Sequence, residues 1–286
     1  MFTLMSEPLY WLNDDRCRVA ANVGNKAAAL AQLTLSRYHV PLGFAITVDA
    51  LAEITDCTNN ASSLFSDIRE ALKQLPRPWI ARSSATVEDS ETASFAGMFT
   101  SVLGLMTEDS VLDALRIIAG SKHNPALIKY ALSKQIESKQ IRVAALIQAL
   151  VVPEASGVAF SRHPRTFENK IVIEATIGLA DILVDGSVSP DLISVLPDGE
   201  ITVERVGSKT SKSVFEYEHL VRVHTTSSEQ RALSISLVTA RTIATILQSI
   251  ERDLGRPQDI EWAQASGKIF VVQSRSITTP PRIPLT

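Results

Sequence analysis

The sequence predicts an α+β protein in two lobes. Through about residue 145, helical stretches with apolar stripes alternate with short strand-like ones. Beyond it, strand-like pieces follow one another, broken by one long helix before a closing hairpin. Segregation of this kind points to an α+β architecture rather than one parallel sheet. With 286 residues and no internal repeat, the chain has material for one or two domains. The expected division is a first lobe over residues 1–145, a second over 146–278 and a proline-rich tail over 279–286.

The elements can be justified in order. Residues 25–37 read as a helix, with Ala27, Ala28, Leu30, Ala31 and Leu33 apolar. Pro41 and Gly43 punctuate it, and Phe44 to Val48 reads as a strand. A second helix over about 64–75 ends at Pro76-Arg77-Pro78. Trp79 to Ser84 reads as a strand running into a polar loop, residues 85–97. Helices are expected over 108–119 and 124–138. Val143 to Val152 is an apolar run interrupted by Gln148, and strands are expected over 157–161, 170–175, 192–196 and 200–206. A last helix over about 228–254 precedes a hairpin of 259–264 and 269–275.

Composition removes several classes of function. A net charge of −3 leaves no basic excess to neutralise a nucleic-acid backbone, so no nucleic-acid partner is expected. Cys17 and Cys57 form neither a CxxC pair nor a zinc-spaced cluster, which argues against a disulfide framework and for a reducing cytoplasm. The N-terminus lacks a basic stretch followed by an apolar run, and nothing approaches the roughly 18 apolar residues of a membrane span. No membrane partner is expected.

Four features carry chemistry. In the closing hairpin, Ala265-Ser266-Gly267 reads as a three-residue turn. That register sets Asp259 opposite Gln273, with Glu261 diagonal to it. Alternation then puts Asp259, Glu261, Gln273 and Arg275 on one face and Ile260, Trp262, Phe270 and Val272 on a core face. Glu261 and Gln273 offer oxygens of the kind magnesium takes, and Arg275 can hold a phosphate bidentately. The alternative is a solvated face with an Asp–Arg pair. Arg82, at the end of an apolar strand beside a polar loop, suits phosphate, and Ala96-Gly97 would let that loop approach a ligand; the alternative is a surface loop. Lys26 follows Val23-Gly24-Asn25 at a helix start, a setting that attracts anions or leaves a solvated lysine. The run Leu146 to Val151 could receive an adenine on exposed edge groups, or be a buried core strand.

These motifs, in this order, resemble the nucleotide-binding domain shared by phosphoenolpyruvate synthase, pyruvate phosphate dikinase and rifampin phosphotransferase. The resemblance covers nearly the whole chain. It rests on Val23-Gly24-Asn25-Lys26 with Pro41-Leu42-Gly43-Phe44, on Ala81 to Asp89, and on Ala93-Ser94-Phe95-Ala96-Gly97. It continues through Ser156 to Arg162, Ile173-Glu174-Ala175, Asp259-Ile260-Glu261-Trp262 and Gln273-Ser274-Arg275. The family pattern departs at Asn25, at Ala180-Asp181 and at Ser276.

The resemblance implies an ATP-grasp fold with the nucleotide site between the lobes, and ATP and Mg²⁺ as cofactors. It implies that Lys26 and Arg82 contact phosphates, that Phe95, Ala96 and Gly97 cover them, and that Gln148, Ala149, Leu150 and Val151 flank the adenine. It implies Glu261 and Gln273 as metal ligands, Arg275 as the essential arginine at the transferred phosphate, and Asp259 as its acidic partner. The family's swivelling histidine domain has no counterpart in this sequence, so the expected partner is a separate phosphohistidine-domain protein, with AMP as product. The alternatives are a stand-alone kinase acting on a small-molecule acceptor, with ADP as product, and a nucleotide-sensing module without turnover.

Overall fold

A computed structural model describes residues 7–55, 61–87, 100–137, 140–184 and 186–277. The chain divides into two compact units, residues 1–150 and 151–286. The α+β, two-lobed class read from the sequence is the class observed.

In unit 1 the chain runs β1 (Leu9–Trp11), α1 (Ala20–Leu35), β2 (Gly43–Ile46), α2 (Val48–Thr55) and α3 (Ala61–Leu72). It continues through β3 (Trp79–Ala85), β4 (Ser101–Leu105), α4 (Glu108–Gly120), α5 (Pro125–Ser133) and β5 (Val143–Ala149). The strands form an antiparallel sheet in the order β1-β2-β5-β3-β4. Alternation splits its residues cleanly. Trp79, Ala81, Ala85, Val143, Ala145 and Ile147 join the core built with α2 to α5. The intervening side chains of β3, Arg82 and Ser84, face the other way, toward α1. β5 lies in the middle of this sheet, so a division after residue 145 would cut a paired strand; the boundary falls after Leu150 instead.

α1 carries an apolar stripe, Val23, Ala27, Leu30 and Ala31, all fully buried. It is interrupted at Gly24, whose backbone (φ 75°, ψ 165°) is not helical. A Cβ there would sit 2.1 Å from the carbonyl oxygen of Ser84, so helix and strand approach more closely than any side chain permits. α4 opens on a capping box, Thr107 Oγ1 accepting from Ser110 N–H at 3.1 Å and Ser110 Oγ from Thr107 N–H at 3.2 Å. Cys17 is buried, and burial, with the charge of Asp14 second, pushes its thiol up to about 12. Cys57 lies outside the described residues.

Unit 2 runs β6 (Ala155–Phe160), β7 (Ile171–Ile177), α6 (Asp181–Val184), β8 (Asp191–Val195) and β9 (Ile201–Arg205). Then come β10 (Ser211–Glu216), β11 (His219–His224), α7 (Ser227–Arg231), α8 (Leu237–Leu254), β12 (Gln258–Ala265) and β13 (Lys268–Ser276). Six strands pair antiparallel in the order β13-β12-β6-β7-β8-β9, and β10 and β11 form a separate hairpin. α8 buries Ala240, Ile243, Ala244, Leu247 and Ile250 against the sheet face that carries Ile260, Trp262, Ala159, Ile173 and Ile193. On the opposite face Asp259, Ala263 and Gln273 are buried, while Glu174, Glu261 and Arg275 are partly exposed.

The single helix expected over 228–254 is two. α7 stops because the following segment is pulled inward: Ser234 donates both its N–H (2.6 Å) and its Oγ–H (2.7 Å) to the buried Asp191. Ser236 then caps α8, accepting from Thr239 N–H at 3.0 Å. Asp191 also accepts from Gly207 N–H at 2.8 Å and from the ammonium of Lys209, with both charged side chains fully buried. The hairpin β10–β11 is unannounced by sequence, since its turn is Tyr217-Glu218, both at positive φ, rather than Asn or Gly.

Two stability effects follow. Asp191→Ala leaves Lys209 buried without its carboxylate and is expected to cost about 3–5 kcal/mol. That loss is read as a fall in the urea midpoint of unit 2 through Trp262 fluorescence; a shift within error would contradict the ion-pair account. Gly24→Ala is expected to cost on the order of 1–3 kcal/mol from backbone strain alone, before the contact with Ser84 is counted. An unchanged unfolding midpoint for unit 1 would refute the close-approach argument.

Candidate functional site

Unit 1 brings two of the predicted cations together. Arg82 lies inside β3, which runs through Ser83 and Ser84 as read from the sequence and one residue further, to Ala85. Their hydroxyls are absorbed, Ser83 Oγ donating to Thr100 O at 3.0 Å and Ser84 Oγ accepting from Ala27 N–H at 3.0 Å. Arg82 is therefore mid-strand and only 8% exposed. Lys26, 7% exposed, reaches the same strand, its Nζ donating to the carbonyl of Ser83 at 3.0 Å. The kink at Gly24 makes this reach possible, because it lays the α1 backbone on β3 at Ser84. Asn25, where the family pattern departs, donates from Nδ2 to Thr86 O at 3.3 Å and so ties the kink to the end of β3. Two cations held on one strand suit a polyanion.

Of the two readings of the Leu146 to Val151 stretch, the buried core strand is the one observed as far as Gln148. Gln148 and Ala149 belong to β5, an interior strand with partners on both sides, so its edge is not open there. The N–H groups of Ala149 and Leu150 donate to Leu42 O (2.9 Å) and Pro78 O (2.8 Å). The Gln148 side chain is buried and donates to Pro41 O at 3.1 Å. The donors of this stretch up to Leu150 are spent inside unit 1, and Val151 opens unit 2. Phe95, Ala96 and Gly97 lie outside the described residues, as does the proline-rich tail.

Unit 2 assembles the other four residues. The hairpin turn has two residues, Ser266 (φ 50°) and Gly267 (φ 71°), with Ala265 paired to Lys268. The register then slips by one between Glu261 and Trp262: Trp262 pairs with Val271, whereas Glu261 pairs with Gln273. Val272 is the additional residue of this bulge. Asp259 consequently faces Arg275 rather than Gln273, and Glu261 faces Gln273 directly. The four side chains share one face, as predicted, but the core face carries Ile269 and Val271 in place of Phe270 and Val272. The bulge is the reason, since one extra residue swaps the faces beyond it.

Asp259 is 5% exposed and accepts from Arg275 Nε at 2.5 Å. The pair fixes the guanidinium, whose side chain is 30% exposed. Next along the face, Glu261 and Gln273 stand side by side as a carboxylate and an amide. These are hard oxygen donors, and magnesium takes one or two such protein groups with phosphates completing its shell. The pair fits a magnesium ion in chemistry and adjacency. Among the described residues no group of three or more His, Cys, Asp or Glu side chains forms a metal cluster. The same row continues through Val158 to Glu174, a further half-exposed carboxylate on this face. The sequence signal for Glu174 was its place as the polar residue among Ile171, Ile173 and Ala175.

Among the described residues no helix is long and apolar enough to cross a membrane. The family model of the pyruvate phosphate dikinase AMP/ATP-binding domain matches residues 58–283. Lys26 precedes the matched segment. A probable phosphoenolpyruvate synthase of Archaeoglobus fulgidus is 30% identical over 95% of this chain and 42% of its own length. The rifampicin phosphotransferase of Bacillus subtilis is 33% identical over 72% of this chain and 24% of its own length. The chain thus spans less than half the length of these relatives. Solved structures align loosely: the D-alanine–D-alanine ligase of Bacillus anthracis covers 91% of this chain and 57% of its own, at 8% identity and a TM-score of 0.39. With the match covering most of the sequence, the chain belongs to the pyruvate phosphate dikinase AMP/ATP-binding domain family.

Proposed function

We propose that this chain is the Mg²⁺-ATP-dependent donor module of a phosphotransferase, passing phosphate to a separate phosphohistidine-domain protein. The observation that carries the reading is the hairpin face of unit 2, where two cross-strand pairs set an oriented arginine beside two oxygen donors. Membership of an AMP/ATP-binding family supplies the ligand. Relatives named as phosphoenolpyruvate synthase and rifampicin phosphotransferase supply the reaction class. ATP as donor puts the work of the module in the cytoplasm.

Each residue then has a task. Lys26 and Arg82 hold phosphate oxygens of ATP from unit 1. Ala149, Leu150 and Val151 flank the base, the first two through carbonyl oxygens, while Gln148 secures the strand through Pro41. Glu261 and Gln273 would hold Mg²⁺. Bound there, the ion neutralises charge on the phosphate oxygens. Arg275 donates to the phosphoryl group as it leaves, and Asp259 holds the guanidinium in position through Nε. Little covalent chemistry falls to the protein in phosphoryl transfer, so fixed, correctly placed charge supplies most of the acceleration. A guanidinium clamped by a buried carboxylate pays little reorganisation when charge develops. Phe95, Ala96 and Gly97 complete the reading as the segment that covers the phosphates.

Incubation with labelled ATP and Mg²⁺ tests the proposal. AMP is expected when a phosphohistidine-domain protein is added, because the partner's histidine takes the β,γ-pyrophosphoryl group of ATP and then loses inorganic phosphate, leaving the phosphohistidine. ADP that depends on one metabolite, without a second protein, would replace this reading with a stand-alone kinase. Tight binding with no turnover under any condition would replace it with a sensing module. Arg275→Ala is expected to lower turnover about a hundredfold or more, with ATP affinity changed far less. An equal loss of both would assign Arg275 to ground-state binding. Glu261→Gln is expected to raise the Mg²⁺ concentration needed for half-maximal activity, and an unchanged requirement would remove Glu261 from the metal.

A further inference from the structure

A cavity of about 460 Å³ opens in unit 1 on the sheet face opposite Arg82. It lies among α2, the end of α4, α5 and the first residues of β5. Its size falls within the roughly 300–1,000 Å³ of small-molecule sites. Leu51, Ile128 and Val143 form an apolar wall, and Asp49, Lys122 and Arg142 add polar groups. Arg142 Nη2 donates to Asp49 Oδ1 at 2.6 Å. Among the described residues Asp49 is the one carboxylate of the lining, set against the cations of Lys122 and Arg142, so these described groups carry surplus positive charge beside an apolar wall. None of these residues belongs to the phosphate or metal faces.

Arg142 also links the cavity to the Lys26 segment. Its carbonyl accepts from Thr86 N–H at 2.9 Å, and the Thr86 carbonyl accepts from Asn25 Nδ2 at 3.3 Å. Asn25 precedes Lys26, and Thr86 follows the strand that holds Arg82. A ligand anion competing with Asp49 for Arg142 would therefore act on a residue two hydrogen bonds from Asn25, the chain neighbour of Lys26.

We propose that this cavity is an effector site for a small organic carboxylate with an apolar body. The carboxylate pairs with Lys122 and Arg142, the body lies against Leu51, Ile128 and Val143, and occupancy changes ATP affinity through Arg142, Thr86 and Asn25. The coupling half rests on the ATP reading above; the binding half does not.

Calorimetric titration of the full chain with 4-phenylbutyrate tests it, with neutral 4-phenylbutyramide as control. Saturable one-to-one binding of the acid is expected, with the amide weaker by about tenfold or more. Lys122→Glu, and Ile128→Trp, which fills the cavity without changing charge, are each expected to abolish it. Saturating acid is expected to shift ATP affinity about fivefold or more in the unaltered chain and not in Lys122→Glu. Equal binding of acid and amide, binding that survives both substitutions, or ATP affinity indifferent to the acid would overturn the proposal. A chain that binds no ATP even without the acid would instead count against the ATP reading, and the acid–amide comparison would still decide the cavity.

Discussion

The register of the closing hairpin decides which side chains of unit 2 can act together. A two-residue turn, Ser266-Gly267, sets the distal pairs, and the bulge at Val272 shifts the proximal ones by a single position. With a three-residue turn and no bulge, Arg275 would pass beyond Asp259 and face residue 257. The observed register instead closes a 2.5 Å bond between them and leaves Glu261 beside Gln273. A bulge bends its strand and re-aims the neighbouring side chains, which is why bulges recur beside functional sites. Here it separates a polar face from a core face covered by α8.

Unit 1 solves a related problem by a different device. Under the proposed reading Lys26 and Arg82 bind phosphate, and cations with that task work best when their positions are set before the ligand arrives, because reorganisation then adds little to the barrier. A lysine on a solvated helix start is a loose group. The Gly24 kink removes that freedom by pressing α1 onto β3 until only hydrogen fits at Cα, and Lys26 is then held by the Ser83 carbonyl. Arg82 is fixed by the sheet itself. Both cations are buried to within a few per cent of complete, a costly arrangement for charge that suits a site built for a polyanion.

Much of this was legible in the sequence, for identifiable reasons. The grouping of Asp259, Glu261, Gln273 and Arg275 followed from period-two alternation, which survives an error in register of this kind. The pairing within the group did not, because Ala265-Ser266-Gly267 fits two turn lengths and nothing local marks Val272 as a bulge. The strand at Arg82 was found to within a residue of its end, but what the Ser83 and Ser84 hydroxyls do was not legible, because their partners, Thr100 and Ala27, are distant in sequence. The break between α7 and α8 was hidden because it is made by Asp191, 43 residues from Ser234. The hairpin β10–β11 was hidden because Tyr217 and Glu218 occupy positions where Asn and Gly are the usual signal. The boundary between the units lay five residues late of expectation because β5 is held from both sides.

The central claim is that two cross-strand pairs in β12–β13 hold the metal and the transferred phosphate. A crystal structure with Mn²⁺ in place of magnesium and a non-hydrolysable ATP analogue tests it most directly. The account predicts an anomalous peak at ligand distance, about 2.0–2.3 Å, from oxygens of both Glu261 and Gln273, with a terminal phosphate against Arg275. A manganese peak away from these two residues, with Arg275 turned from the phosphates, would contradict it.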